Sequence, residues 1–127
     1  MKFINMTPHE VVVRKPDGEE VRIPPSGRTL RLREVDQVLE DANGNPITVD
    51  GIPVVQRVLL PPEELPEEFN DPDAVVIVSL PALMGLVALR EAGSIRPLCW
   101  IVAPDTGTGA IRDERGQIVG TTRFITM

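Results

Sequence analysis

At 127 residues, 42% hydrophobic and 25% charged, the chain is sized and composed for one soluble domain with its own core. A net charge of −6 argues against long nucleic acids, whose binding rests on neutralised phosphates. The single cysteine, Cys99, excludes an intrachain disulfide and a cysteine-rich metal site, and reads as a small core residue.

No stretch approaches the roughly 18 apolar residues of a membrane span, and Met1-Lys2-Phe3-Ile4-Asn5 lacks the apolar core of a secretion signal. The expectation is a cytoplasmic protein with no membrane partner. Aromatic residues are few, so the core falls to Val, Leu and Ile. Lys2 and Lys15 are the only lysines; the other basic residues are arginines, whose forked donors suit phosphate and carboxylate groups.

Residues 1–60 read as an antiparallel β meander. Phe3-Ile4-Asn5 is a short strand turned by Thr7-Pro8-His9. Residues 10–14 and 20–23 form a hairpin around Lys15-Pro16-Asp17-Gly18, which has Pro and Gly where a tight turn needs them. After Pro24-Pro25-Ser26-Gly27, Leu30 and Leu32 alternate with Arg31 and Arg33, as in a half-buried strand. A strand over 35–40, the turn Ala42-Asn43-Gly44-Asn45-Pro46, and a hairpin of 47–49 with 52–60 follow. Pro53 marks an edge or a strand start. Residues 61–73 combine prolines with Glu63, Glu64, Glu67, Glu68, Asp71 and Asp73, and read as a solvated surface connector.

The character changes at 74–127. Val75-Val76-Ile77-Val78 is a continuous apolar run, as expected of a strand covered on both faces. Ser79 caps a helix over 80–92, with Pro81 in its first turn, Leu80, Leu83, Met84 and Val87 on its apolar face, Arg90 in its last turn and Gly93 beyond it. Residues 98–102 form the next strand. Strand, helix and strand make a βαβ unit with parallel strands, and residues 110–120 add a C-terminal hairpin. The fold class is therefore α+β, a single domain with a mixed sheet.

Parallel strands of a βαβ unit end on one edge, where open α/β sheets bind ligands. Ser79 and the helix amides, suited to an anion, are thereby expected beside Pro104-Asp105-Thr106-Gly107. Asp105-Thr106-Gly107 matches the tripeptide of aspartic proteases. Against that reading stand Pro104 interrupting the strand, Thr108 in place of a smaller residue, and Ile118-Val119-Gly120 only a hairpin away. His9, the sole histidine, could join Ser79 and Asp105 in a nucleophile–base–orienter set, but no Gly-x-Ser-x-Gly elbow surrounds Ser79. Phosphate-loop glycine motifs are absent, and His9 lacks the partners a metal needs. Arg112 and Arg123 are the nearby candidates for clamping an anion.

Asn5-Met6-Thr7-Pro8-His9, Pro25-Ser26-Gly27, Gly51-Ile52-Pro53-Val54-Val55, Ile77-Val78-Ser79, Ala103-Pro104-Asp105-Thr106-Gly107, Arg112-Asp113 and Gly116-Gln117-Ile118-Val119-Gly120 occur in this order. Across nearly its whole length the chain thereby resembles a family of small bacteriophage, prophage and related bacterial proteins. Met6 stands where that pattern more often has Leu, and the acidic segment is longer. The resemblance brings no activity with it; a phage setting implies a small acidic protein that blocks host defence by sequestering a nucleotide signal or covering a host protein.

The leading expectation is a non-enzymatic protein that binds an anionic, nucleotide-like ligand through Thr7, His9, Ser79, Asp105, Thr106, Gly107, Arg112 and Arg123, with no catalytic residue, metal or cofactor. The alternatives are an inhibitor that meets a host protein through its acidic stretch, and a small hydrolase using His9 or Asp105. A homo-oligomer is compatible with any of them.

Overall fold

The computed structural model of the chain describes residues 1–62 and 64–127. It divides into two compact units, Met1–Arg31 with Glu64–Met127, and Leu32–Glu63. The α+β class is observed, but strands dominate, and they form several sheets in place of one continuous meander.

In chain order the strands are β1 (Lys2–Asn5), β2 (Val11–Arg14), β3 (Glu20–Ile23), β4 (Arg33–Val38), β5 (Thr48–Val49), β6 (Ile52–Pro53), β7 (Val55–Leu60), β8 (Ala74–Ile77), β9 (Trp100–Pro104), β10 (Ala110–Arg112), β11 (Ile118–Thr121) and β12 (Phe124–Ile125); β4 to β7 belong to the second unit, and the others, with the helix α1 (Leu80–Glu91), to the first. One sheet has the order β1-β8-β9-β12, the other β10-β11-β2-β3. Parallel β8 and β9 flank α1 in sequence, so the βαβ unit is present. The β2–β3 and β10–β11 hairpins also form as their turn residues require.

The expected meander loses its first strand. β1 pairs in parallel with β8, Phe3 opposite Val75 and Asn5 opposite Ile77. Thr7-Pro8-His9 is therefore not a hairpin turn; it carries the chain from one sheet to the other. Residues 28–32 are not a strand either. Their backbone bonds the end of β1 once, through Leu30 N–H to the Met6 carbonyl.

The sheets face each other across Val11, Ile77 and Val102, with Val13, Ile23, Val75 and Phe124 packed around them. Alternation along β8 turns Val76 and Val78 to its other face, and both are buried. The run 75–78 is thus covered on both sides.

α1 begins as expected. Ser79 Oγ accepts the Ala82 N–H at 3.3 Å, Pro81 sits in the first turn, and Gly93 adopts φ +76° past the end. Its inward face is rotated from the expected one: Ala82, Leu83, Gly85, Leu86 and Leu89 are buried, while Met84 is 56% exposed. A helix reading LPALMGLVALRE is apolar on nearly every side, so spacing alone does not select the face.

The acidic segment is more than a solvated connector. A short 3₁₀ helix, Glu67–Asn70, drives Phe69 to 0% exposure, and the Phe69 carbonyl accepts the Leu98 N–H at 2.8 Å. Glu63 lies outside the described residues.

The second unit comprises two ribbons. β4 (Arg33–Val38) pairs with β7 (Val55–Leu60), and β5 (Thr48–Val49) with β6 (Ile52–Pro53), both antiparallel. Asp50-Gly51 turns the second ribbon, both residues at positive φ. None of the described residues in this unit is buried.

No helix among the described residues is long and apolar enough to cross a membrane.

Candidate functional site

Two polar knots shape the edge where β8 and β9 end. Asn5 closes β1 and is 1% exposed. Its Nδ2 donates to the carbonyls of His9 (2.8 Å) and Ile23 (3.0 Å), and its Oδ1 accepts from the Thr7 amide (2.9 Å) and hydroxyl (2.7 Å). One buried amide thus joins three segments: β1, the Thr7–His9 turn and the end of β3. The motif residues 5–9 hold this geometry together, and Asn5, overlooked in the sequence as a candidate, is its centre. An asparagine two residues before a threonine is the available signal, because Asx turns use that spacing.

The second knot is Asp105. Its Oδ1 accepts the Gly107 N–H at 2.9 Å, and its Oδ2 accepts the Gly109 N–H at 3.0 Å and the Arg123 Nε–H at 2.8 Å. Those hydrogen bonds, the Arg123 one foremost, hold its carboxyl below the usual carboxylate range. Thr121, 2% exposed, donates from Oγ1 among the carbonyls of Asp105 and Arg123 at 2.9 and 2.8 Å. A Cβ on Gly109 would stand 2.8 Å from Asp105 Oδ2, so the loop needs glycine there. Pro104 does not interrupt β9. It is the strand's last residue and pairs with Phe124.

The eight candidate residues are distributed around these knots. Asp105 and Arg123 satisfy each other. Arg112 lies in the hairpin, donating to the Gly116 carbonyl of its own turn at 2.6 Å. Thr7 and Ser79 line one cleft of about 220 Å³, together with Met6, Pro8, Thr29, Leu30 and Arg31. His9 and Thr106 line another of about 300 Å³, with Pro104, Val11, Ile118 and Val119 among its apolar walls and Glu10 at its side. Gly107 caps the Asp105 loop. The turn 7–9 thus borders both clefts, Thr7 and Pro8 on one and His9 on the other.

The first cleft has the electrostatics of an anion site. Among the described residues it contains one guanidinium, the Thr29 hydroxyl and the helix start at Ser79, and no carboxylate; the Thr7 hydroxyl beside them already donates to Asn5 Oδ1. Like the side chains of Arg14, Arg96 and Arg115, that of Arg31 makes no ion pair or hydrogen bond with any described residue, whereas Arg22, Arg28, Arg57 and Arg123 are all held by acids. Pro81 has no N–H and that of Ala82 is taken by Ser79, which leaves the Leu80 amide in the first turn. Arg31 and Thr29 escaped the sequence reading because alternation with leucine made them look like the solvent face of a strand.

Among the described residues no hydrogen bond links the His9 side chain to Ser79 or Asp105, and the Asp105 carboxylate is engaged by Arg123 and two backbone amides. Among the described residues, no three His, Cys, Asp or Glu side chains gather where a metal ion could be held. Burial pushes the Cys99 thiol up to about 11, which leaves it protonated and a poor nucleophile at neutral pH. Three members of the acidic stretch are paired: Glu68 with Arg28, Asp71 with Lys2, and Asp73 with the terminal amine.

The chain matches no family model, no curated protein and no solved structure.

Proposed function

We propose that the chain is a non-enzymatic binding protein of the bacteriophage type, acting in the cytoplasm, that sequesters an anionic, nucleotide-like ligand. The observation that carries this reading is Arg31, which pairs with no described residue, beside Ser79, Thr7 and Thr29 in a cleft where no described residue brings a carboxylate. In a protein of net charge −6, a guanidinium that no described acid holds, beside the Thr29 and Ser79 hydroxyls and a helix start, supports a phosphate-sized anion there. The neighbouring cleft, with its valine, proline and isoleucine walls and His9 and Thr106 as polar contacts, suits a flat, largely apolar base. Asp105 and Arg123 act as the frame of that cleft, and the ligand meets Thr106 and His9 at its surface.

Titration calorimetry in low salt with ADP, adenosine and inorganic phosphate tests the reading. ADP is expected to bind more tightly than either fragment. Arg31→Glu weakens ADP by at least about tenfold, as removal of a charge-assisted contact does. Absence of binding by ADP and phosphate alike would overturn the proposal.

A further inference from the structure

The second unit presents a problem of its own. A two-stranded ribbon is marginal in water, and three or more strands are ordinarily needed for independent stability. Here β4 and β7 pair only with each other among the described residues, so each has an outer edge of unpaired backbone groups. The two edges differ. β4 carries Arg33, Glu34 and Asp36, the charged residues that natural edges use against unwanted pairing. β7, reading VQRVLL, carries one charge, Arg57, and no proline inside it.

We propose that β7 pairs antiparallel with β7 of a second copy of this chain, forming a four-stranded sheet in the order β4-β7-β7-β4 about a twofold axis. The second copy is the occupant because the edge, with Arg57 its one charge, can pair with itself without setting like charges against each other, and of the registers that do so the one centred on Val58 lines up the most β-branched side chains. An axis perpendicular to the sheet keeps each face continuous, so it must pass through a residue opposite its own counterpart. Centred on Arg57, the pairing would set two guanidinium groups directly against each other, which is destabilising. Centred on Val58, it places Arg57 opposite Leu59 and Gln56 opposite Leu60, with no like charges facing.

Within one copy Val35 lies opposite Val58. The Val58 register therefore builds an unbroken row of four β-branched side chains across the sheet, Val35, Val58, then Val58 and Val35 of the second copy. Such cross-strand rows are what stabilise a sheet. Val35, 39% exposed in the single chain, gains neighbours in the row, while Arg57 stays engaged with Asp36 at 3.0 Å on the opposite face.

Sedimentation of the full chain at about 100 µM, well above typical dissociation constants of specific dimers, should give twice the 13.9 kDa of one copy. Directly opposite residues of an antiparallel pair have Cα atoms about 4.5–5.5 Å apart, within disulfide reach. In a Cys99→Ala background, Val58→Cys should therefore cross-link two copies under mild oxidation. Arg57→Cys should not, and Gln56→Cys mixed with Leu60→Cys should cross-link where neither does alone. Val58→Lys, which sets like charges together on the axis, weakens association at least about tenfold. A monomeric mass, or cross-linking through position 57 in place of 58, would overturn the proposal. Ligand binding by the first unit is measured separately and is indifferent to either outcome.

Discussion

The two units solve the problem of polar backbone in opposite ways. In the first, buried polar groups are answered inside the chain: Asn5 saturates its amide, Asp105 collects two backbone amides and a guanidinium, and Thr121 sits among carbonyls. Among the described residues, no buried side-chain nitrogen or oxygen lacks a partner. Among the described residues of the second unit none is buried, and β4 and β7 pair only with each other. Val38, Val49 and Ile52 stand 60%, 60% and 65% exposed. Stability in the first unit is thus internal. In the second it is local turn chemistry and cross-strand pairing, with the remainder left to association.

The largest effect should come from the core of the first unit. Phe69→Ala empties a fully buried aromatic site and should lower unfolding free energy by about 3–5 kcal/mol, read from urea denaturation. Asn5→Ala removes no large volume, yet it strands the Thr7 amide and takes one donor each from the His9 and Ile23 carbonyls. A loss of about 2–3 kcal/mol is expected, accompanied by faster hydrogen exchange at Thr7.

The third prediction concerns acid. Because the folded state holds the Asp105 carboxyl low, its contribution is fully present above the unfolded carboxylate range. It is lost as pH falls below about 4 and through the lower folded value. Thermal melts between pH 6 and 2 should show this acid limb persisting in 0.5 M salt, since the Asp105 side chain is 7% exposed. Asp105→Asn should flatten it. The exposed Asp36–Arg57 pair of the second unit should contribute little at that salt. The smallest effect belongs there too: Val49→Ser at the ribbon tip should shift the main unfolding transition by no more than about 0.5 kcal/mol. A larger shift would mean that the ribbon's apolar surface is part of the main core.

Much of this was legible where structure is local. Lys15-Pro16-Asp17-Gly18 and Asp113-Glu114-Arg115-Gly116 announce their hairpins, and Ser79, Pro81 and Gly93 bracket the helix, because turn and cap chemistry acts over a few residues. The pairing of β1 with β8 was not legible. Nothing in Phe3-Ile4-Asn5 specifies a partner some seventy positions away, and an adjacent strand was the natural choice. Phe69 hid among acids and prolines whose average character is that of solvent-facing chain. At the candidate site, the sequence brought out Asp105 and Arg123 but not that they complete each other. It also left Arg31 in a strand pattern that the backbone does not follow.

The order in which strands become available has a consequence for how the protein is made. β1 and β2 leave the ribosome first, yet β1 waits for β8, and β2 meets β11 through Thr121 opposite Val13. At that crossing Gly120 passes so near the Val12 carbonyl that an added Cβ would lie 2.9 Å from it. The two sheets of the first unit are therefore completed only after residues 118–125 have been synthesised, and such distant pairings fold in milliseconds to seconds. The β4–β7 ribbon, closed by nearby residues, can form in microseconds while translation is still under way. The least buried part of the molecule is thus able to fold before either sheet of the first unit is complete, and its nascent edge is open for the interval before the core exists.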